Sequence, residues 1–438
     1  MAIHTHKFPR QRIAVVGAGV SGLASAWLLG QRHQVTLFEA GAYLGGHTNT
    51  VEVTLEGKTA PVDTGFLVFN DRTYPNLIAL FEHLGVPSVP SDMSFAVSLQ
   101  QPHLEWAGSS LATVFGQKRN LLRRDFWRML GDILRFNREA VAFINAHPEA
   151  AQTLGEYLQA GRYSAAFANW YLLPMAAAIW SCPTSEMLAT PLSTFVRFCI
   201  NHGLLQIFDR PVWRTVQGGG REYVKRLAAE IADIRLACPV LAVHARGDGV
   251  GIETARGVEH FDAVVLASHS DQSLQLLGES ASPKQRAVLE AIRYQPNRAV
   301  LHTDPALLPR DRKLWSAWNY LAGRGEPGEQ PVSVSYLINQ LQPLPFKTPV
   351  IVTLNPVREP AAEHVLREFD YAHPVFDGPA IAAQEKLASV QGENRVWLCG
   401  AWGGYGFHED GLKSALRVAN ALGVRAPWQA GGQSAEVA

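Results

Sequence analysis

The stretch Ile13-Ala-Val-Val-Gly17-Ala-Gly19-Val-Ser21-Gly22 is followed by an apolar run to Leu29 and then by Val35-Thr-Leu-Phe-Glu39. It spells a strand, a glycine turn, a helix, a second strand and a terminal acid. Gly17 permits the turn, Gly19 lets a pyrophosphate approach the backbone, and Gly22 lets the helix pack closely on the sheet. The helix N-terminus attracts the phosphates, because its first amides have no partner within the helix. Glu39 follows Gly22 at the end of the second strand, where a carboxylate accepts hydrogen bonds from ribose hydroxyls and repels a 2′-phosphate. The chain is therefore expected to be α/β, with a Rossmann-type dinucleotide-binding domain.

Composition narrows the class. At 438 residues the chain exceeds the usual size of a single core, so two lobes are expected. Zero net charge and 47% hydrophobic residues argue against nucleic acid as a partner and against disorder. Cys182, Cys199, Cys238 and Cys399 are far apart and form no CxxC pair, which reads as reduced core cysteines of a cytoplasmic protein. Lys7, Arg10 and Arg12 precede an apolar segment as in a signal peptide, but that segment is already the nucleotide-binding strand and helix. No stretch is long and apolar enough to span a bilayer. Among the 15 histidines no HExxH pair or metal-ligand cluster stands out, so no metal is expected and the chemistry falls to a bound cofactor.

The continuation Glu39-Ala40-Gly-Ala-Tyr43-Leu-Gly45-Gly46-His47-Thr48 resembles the corresponding segment of the flavin amine oxidase, protoporphyrinogen oxidase and phytoene desaturase superfamily. That resemblance implies FAD, with the glycine pair letting the chain pass close to the pyrophosphate and flavin. The family usually carries arginines at the positions that Tyr43 and His47 occupy here, so neither side chain inherits the arginine's contacts. Two later segments resemble returns to the cofactor. One runs from Arg235 through Cys238-Pro239-Val240 to Ala267-Ser-His269; a residue matching Val240 gives a backbone bond near the adenine. The other is Arg395-Val-Trp-Leu-Cys-Gly400-Ala-Trp402-Gly-Gly-Tyr405-Gly-Phe407-His408-Glu-Asp410-Gly411-Leu412, leading into a helix whose first amides face the flavin, with Asp410 expected as its N-cap. The cofactor residues implied are thus Gly17, Gly19, Ser21, Gly22, Glu39, Ala40, Gly45, Gly46, His47, Thr48, Val240, Gly400, Asp410, Gly411 and Leu412.

Three returns imply a discontinuous FAD-binding domain over residues 1–75, 205–280 and 390–426, an inserted α+β substrate domain over 76–204 and 281–389, and a flexible tail over 427–438. The first insertion reads as helical. Its clearest helix, Asn120 to Ala146, places Phe126, Met129, Leu130, Ile133, Phe136, Ala140 and Ile144 on one face, with Arg124, Arg128, Arg135 and Arg138 opposite. The second insertion, with runs such as Val332-Ser-Val-Ser-Tyr-Leu-Ile between turns, reads as a small antiparallel sheet.

Trp402, Tyr405 and His408 are the expected catalytic-site residues, with Phe407 beside them; these aromatics either line the substrate cavity or pack the cofactor. Trp315, Trp318, Asn319 and Tyr320 read as a core strand or a second cavity wall, and Trp170 to Trp180 resembles the family's apolar substrate helix. His269, His302, His373 and His408 are candidate proton carriers. In Asp63-Thr64-Gly65-Phe66 the backbone is expected to matter more than the carboxylate, and Gly218-Gly219-Gly220 reads as a turn opening a helix. The runs Tyr74-Pro-Asn76, Pro90-Ser-Asp-Met-Ser-Phe95, Tyr294-Gln-Pro-Asn-Arg298 and Gly406-Phe-His-Glu-Asp-Gly411 resemble a bacterial group of predicted NAD/FAD-binding proteins that accompany cyclopropane-fatty-acyl synthase-like methyltransferases. The resemblance implies an FAD-dependent oxidoreductase acting on a hydrophobic substrate, such as an unsaturated or methylated fatty acyl chain. Amine oxidation, a non-redox flavin isomerase and a partner subunit of a lipid methyltransferase are the alternatives. The arginine face of the Asn120–Ala146 helix suggests peripheral contact with the inner membrane face.

Overall fold

The computed structural model describes residues 9–147, 150–180, 184–206, 210–324 and 332–429. Cys182 therefore lies outside the described residues, as do 430–438 of the expected tail.

The apolar pentapeptides of the opening stretch form the centre of a five-stranded parallel sheet, in the order Asp233–Arg235, Gln34–Phe38, Arg12–Val16, Ala263–Leu266, Val396–Leu398. Strands covered on both faces must be apolar on both, which explains why Ile13, Ala14, Val15 and Val16 are all buried. One face is closed by the helix Val20–Gly30, whose residues from Val20 to Leu29 are buried between the sheet and the helix His408–Ala421. Gly22 makes that packing geometrically available: a Cβ there would lie 1.8 Å from the Gly17 carbonyl oxygen. A three-stranded antiparallel sheet, Val240–Arg246, Gly249–Thr254 and Gly257–Phe261, connects two of the parallel strands.

The second large sheet has seven strands, in the order Val365–Pro374, Tyr294–His302, Ile351–Leu354, Val332–Leu337, Trp318–Ala322, Phe95–Leu99, Leu104–Ala107. It is larger than the sequence suggests, and the reading of the first insertion as wholly helical is corrected. Phe95–Leu99 and Leu104–Ala107 come from that insertion, and Phe95–Leu99 joins Trp318–Ala322 in parallel. Short strands close to turns carry little periodic signal; the pairing of Phe95–Leu99 with a strand more than 200 residues away decides the outcome. The helices behind it pack around Phe136, Phe167, Phe195 and Phe198.

Two element bounds also shift. The long helix begins at Arg124, preceded by a 3-10 turn over Lys118–Leu122; Asn120 is buried in that turn and its amide donates to the Glu105 carbonyl at 3.2 Å. Pro427–Gln429 form an ordered turn with Trp428 stacked on Trp27 at 6.1 Å, so the expected tail does not start at 427.

Candidate active site

A cavity of about 730 Å³ lies between the parallel sheet and the seven-stranded sheet. At one side its wall is the glycine turn. Gly17 adopts φ +100°, a conformation open to glycine, and donates its N–H to the Phe38 carbonyl at 2.8 Å. A Cβ built on Gly19 would meet nothing within 4 Å, so this turn leaves open space where a ligand's phosphates would approach. Glu39 lines the same side, and its carboxylate accepts from the Ala18 and Gly41 amides, each at 2.7 Å. It thereby holds the turn and the start of the next segment while one lone pair of each oxygen remains. Ser21, Ala40, Gly45, Gly46, Val240 and Gly400 join it on the wall, Gly45 bridging to Gly19.

Gly22, Thr48, Asp410, Gly411 and Leu412, expected as cofactor residues, stand behind the wall. A Cβ on Gly411 would come within 2.9 Å of Ser21 Oγ, so Gly411 is where the two helices touch. Asp410 is not the N-cap; Phe407 is. From the third helical position Asp410 accepts from the Phe407 and Tyr405 amides at 3.0 and 3.1 Å, fixing the loop before the helix. Burial raises its pKa to about 6. Thr48 spends its hydroxyl on Tyr223 OH (2.5 Å) and on His408 Nε2 (2.8 Å), so it positions His408 from behind.

His408 is on the wall, its ring stacked on Phe66 at 3.7 Å, and burial pushes its pKa down to about 3. Tyr405 and Phe407 also line the cavity and pack against Phe198 at 5.7 and 5.2 Å. Trp402 lines it only from a core position: its indole N–H donates to the Ser268 carbonyl at 3.2 Å. Trp318 is on the wall, edge-on to Tyr336 at 4.8 Å, whereas Tyr320 and Asn319 are buried within the sheet. In the Trp170 to Trp180 segment Ile179 reaches the cavity, while Leu172 to Ala178 include the helical core.

Sequence reasoning named His47, His269 and His373 one by one and Tyr371 not at all; the fold brings them together. His47 stacks on Tyr371 (5.0 Å) and lies 5.3 Å from His373 and 6.1 Å from His269, which in turn stacks on Tyr294 at 4.3 Å. Burial, then mutual repulsion, lowers the pKa of His47 to about 3 and that of His373 to about 4; burial also lowers that of His269. These imidazoles are neutral at pH 7, so His47 does not stand in for an arginine. His302, the fourth candidate carrier, is buried in the sheet and bonded to Thr353 at 2.8 Å, away from the wall. Asp63 is also more than backbone: it accepts from Thr50, Gly220 and Gln342, tying the Gly218–Gly220 turn to the end of the short helix Ile338–Leu341, and burial raises its pKa to about 6. One signal was present in the sequence: Tyr74, Met93, Tyr294 and the Gly406–His408 loop, drawn from the four short runs, all reach the cavity.

Two buried polar atoms belonging to wall residues have no partner, His47 Nε2 and Trp318 Nε1. A ligand satisfies such atoms, and His47 Nε2, next to the glycine pair, together with the open space at Gly19 fits a long cofactor with phosphates at one side and a ring system at the other. Gly17, Gly19, Ser21, Glu39, Ala40, Gly45, Gly46, Val240 and Gly400 are the residues placed to hold it.

A sequence profile of the flavin containing amine oxidoreductases matches residues 20–423. The chain is 26% identical over 336 residues to the carotenoid phi-ring synthase of Streptomyces griseus; the match covers 68% of this chain and 62% of that protein, under two thirds of its length. Its fold is similar to that of the CLA-producing fatty acid isomerase from P. acnes (TM-score 0.66, 13% identity, covering 94% of this chain and 98% of that one). It is also similar to that of cyclohexylamine oxidase from Brevibacterium oxydans IH-35A (TM-score 0.64, 16% identity, 94% and 99%). The match takes in the acid after the second strand and the return at Gly400 and spans most of the chain: the chain belongs to the flavin-containing amine oxidoreductase family, and its cofactor is FAD.

Proposed function

We propose that the protein is an FAD-dependent oxidoreductase whose substrate is a long apolar molecule with one polar end, of the class of unsaturated or methylated fatty acyl chains. The observation that carries this is the division of the cavity wall. Among the described residues Glu39 is the only carboxylate on it, and it stands at the glycine turn; the far side is built from Trp318, Tyr336, Ile179, Phe198 and Phe407. An amine substrate arrives as a cation, to which this far side offers aromatic faces but no carboxylate among the described residues. An acyl chain needs only apolar contact along its length and one hydrogen-bond donor for its carbonyl, which the unpartnered indole N–H of Trp318 supplies.

FAD, when bound, supplies a two-electron acceptor. The chain's own part is to hold the substrate, exclude water and keep the wall uncharged. The imidazoles of His47, His373 and His408 are neutral at pH 7, so no fixed cation faces an apolar chain, and Thr48 keeps His408 in one orientation through Nε2. The relation to a carotenoid ring synthase supports an apolar substrate, and the fold shared with a fatty acid isomerase supports isomerisation as the second reading. The test is anaerobic mixing of the holoprotein with unsaturated and methyl-branched acyl lipids and, separately, with primary amines. Bleaching of the flavin by lipids, with a product lighter by two hydrogens, is expected. Bleaching by amines alone overturns the proposal, and a lipid product of unchanged mass replaces oxidation by isomerisation.

A further inference from the structure

Large apolar side chains exposed singly are ordinary on any surface; a cluster is not. Here Tyr43, Val212, Leu236, Leu241, Val258 and Leu366 are scattered, whereas Leu111 (79% exposed), Leu121 (47%), Leu122 (89%), Trp127 (51%) and Leu134 (57%) fall in one short segment. Two contacts of Trp127 tie the start of this segment to the helix. The Trp127 indole N–H donates to the Leu121 carbonyl at 2.9 Å, and its ring lies 5.2 Å from that of Phe115, one helical turn beyond Leu111. Leu134 follows Trp127 by two helical turns and shares its face. The apolar face of the same helix is already buried: Phe126, Met129, Phe136, Ala140 and Ile144 point into the core. The exposed apolar residues are thus a second apolar surface, and the fold leaves it uncovered.

The charge around it is mostly positive. Lys118, Arg119, Arg124 and Arg128 are exposed beside these residues, against the single exposed carboxylate of Asp125, which pairs with Arg128 at 3.4 Å, in a chain whose net charge is zero. The arginine face expected from the helical wheel is revised by the structure. Arg135 is turned inward to Asp132 and the Gly161 carbonyl, each at 2.9 Å, with its guanidinium 3.8 Å over the Tyr163 ring, so it is not available to a partner surface. Cations around protruding leucine and tryptophan match an anionic bilayer, whose headgroups attract the cations while the apolar tips enter the acyl boundary. Among the described residues no helix is long and apolar enough to cross a membrane, so the contact is peripheral.

We propose that Leu111, Leu121, Leu122, Trp127 and Leu134, ringed by Lys118, Arg124 and Arg128, form a docking surface for anionic lipid bilayers. The proposal stands apart from the reaction assigned above, since its test reads binding alone. The full-length holoprotein is sedimented with vesicles of phosphatidylcholine, or of phosphatidylcholine containing phosphatidylglycerol, at low and high salt. Two variants are compared with it: Leu111→Ser with Leu122→Ser, and Lys118→Gln with Arg124→Gln and Arg128→Gln. The wild type is expected to bind the anionic vesicles about tenfold or more better than the neutral ones and to release in salt. Each variant is expected to lose about tenfold or more in binding, with melting temperature and bound flavin unchanged. Equal binding by wild type and either variant, or no binding by the wild type, overturns the proposal. So does a concentration-dependent dimer in light scattering that the leucine variant dissolves, which assigns the surface to a second copy of the chain.

Discussion

The two sides of the cavity are built by different means. The glycine-turn side is made of backbone: Gly17, Gly19, Gly45 and Gly46 line it, Gly19 leaves open space, and Glu39 secures the turn with two hydrogen bonds to main-chain N–H groups. The far side is made of side chains from six or more separate segments, with Trp318, Tyr336, Phe198, Tyr371, His373 and Phe407 meeting only in the folded chain. A backbone site tolerates few substitutions, because a Cβ has no alternative rotamer. A side-chain wall can be altered one residue at a time and still leave the cofactor in place. The backbone side can thus stay fixed while the side-chain side varies.

The largest effect is expected from Gly22→Val. Its Cβ would fall 1.8 Å from the Gly17 carbonyl, so the helix must lift from the turn, at a cost of about 3 kcal/mol or more. Flavin absorbance of the purified protein should be lost and thermal melting lowered; a yellow, normally stable variant would break the comparison at its first term.

Acid should act next, through the buried imidazoles, five of which line the cavity. His33, His47, His202, His269, His302, His373 and His408 all have folded pKa values below 6.5, with burial the first cause in each. The unfolded chain therefore takes up protons that the folded chain refuses, and stability present above pH 6.5 is lost as pH falls. Asp63, Glu409 and Asp410, raised by burial, oppose this between about pH 6 and 4, but the imidazoles outnumber them. Each net proton costs about 1.4 kcal/mol per pH unit. Melting temperature should fall steeply from pH 7 to pH 5; a flat profile would show that these imidazoles are solvated.

Thr48→Val tests whether the two sides are joined. It leaves Tyr223 OH and His408 Nε2 without their shared partner and should cost about 1–3 kcal/mol while flavin is retained. A shift in the pH profile of turnover, absent from a stability-matched core variant, would mark Thr48 as the residue positioning His408. The smallest effect on stability is expected from Trp318→Phe, which removes the unpartnered N–H and one of the two fused rings. It should cost about 1 kcal/mol of stability and leave the flavin content unchanged, with the kinetic loss confined to KM for acyl substrates; a loss of flavin instead would place Trp318 on the cofactor side.

Much of this was legible in the chain because it is local. Gly17, Gly19 and Gly22 lie within six residues, and the apolar strands flanking them are readable by composition, so the turn, helix and parallel strands follow without knowledge of partners. The helix register around Phe126, Met129, Phe136, Ala140 and Ile144 was readable for the same reason, since spacing alone puts these residues on one face. Asp410 was misplaced because capping turns on one residue's backbone angles: Phe407 is extended, and Asp410 reaches back to it from the helix.

What the sequence by itself determined is the order of backbone events along the chain, from which the α/β class, the FAD site and the family follow. Only the tertiary structure decided that His47, His269, His373 and Tyr371 meet, that Asp63 reaches Gln342, and that the strands at Phe95 and Trp318 join in one sheet. It alone decided which leucines beside the long helix are left outside. Local patterns are set by bond geometry and near-neighbour sterics, which any short segment expresses. Contacts between distant segments depend on which apolar surfaces find each other when the whole chain excludes water, and that is a property of no segment alone.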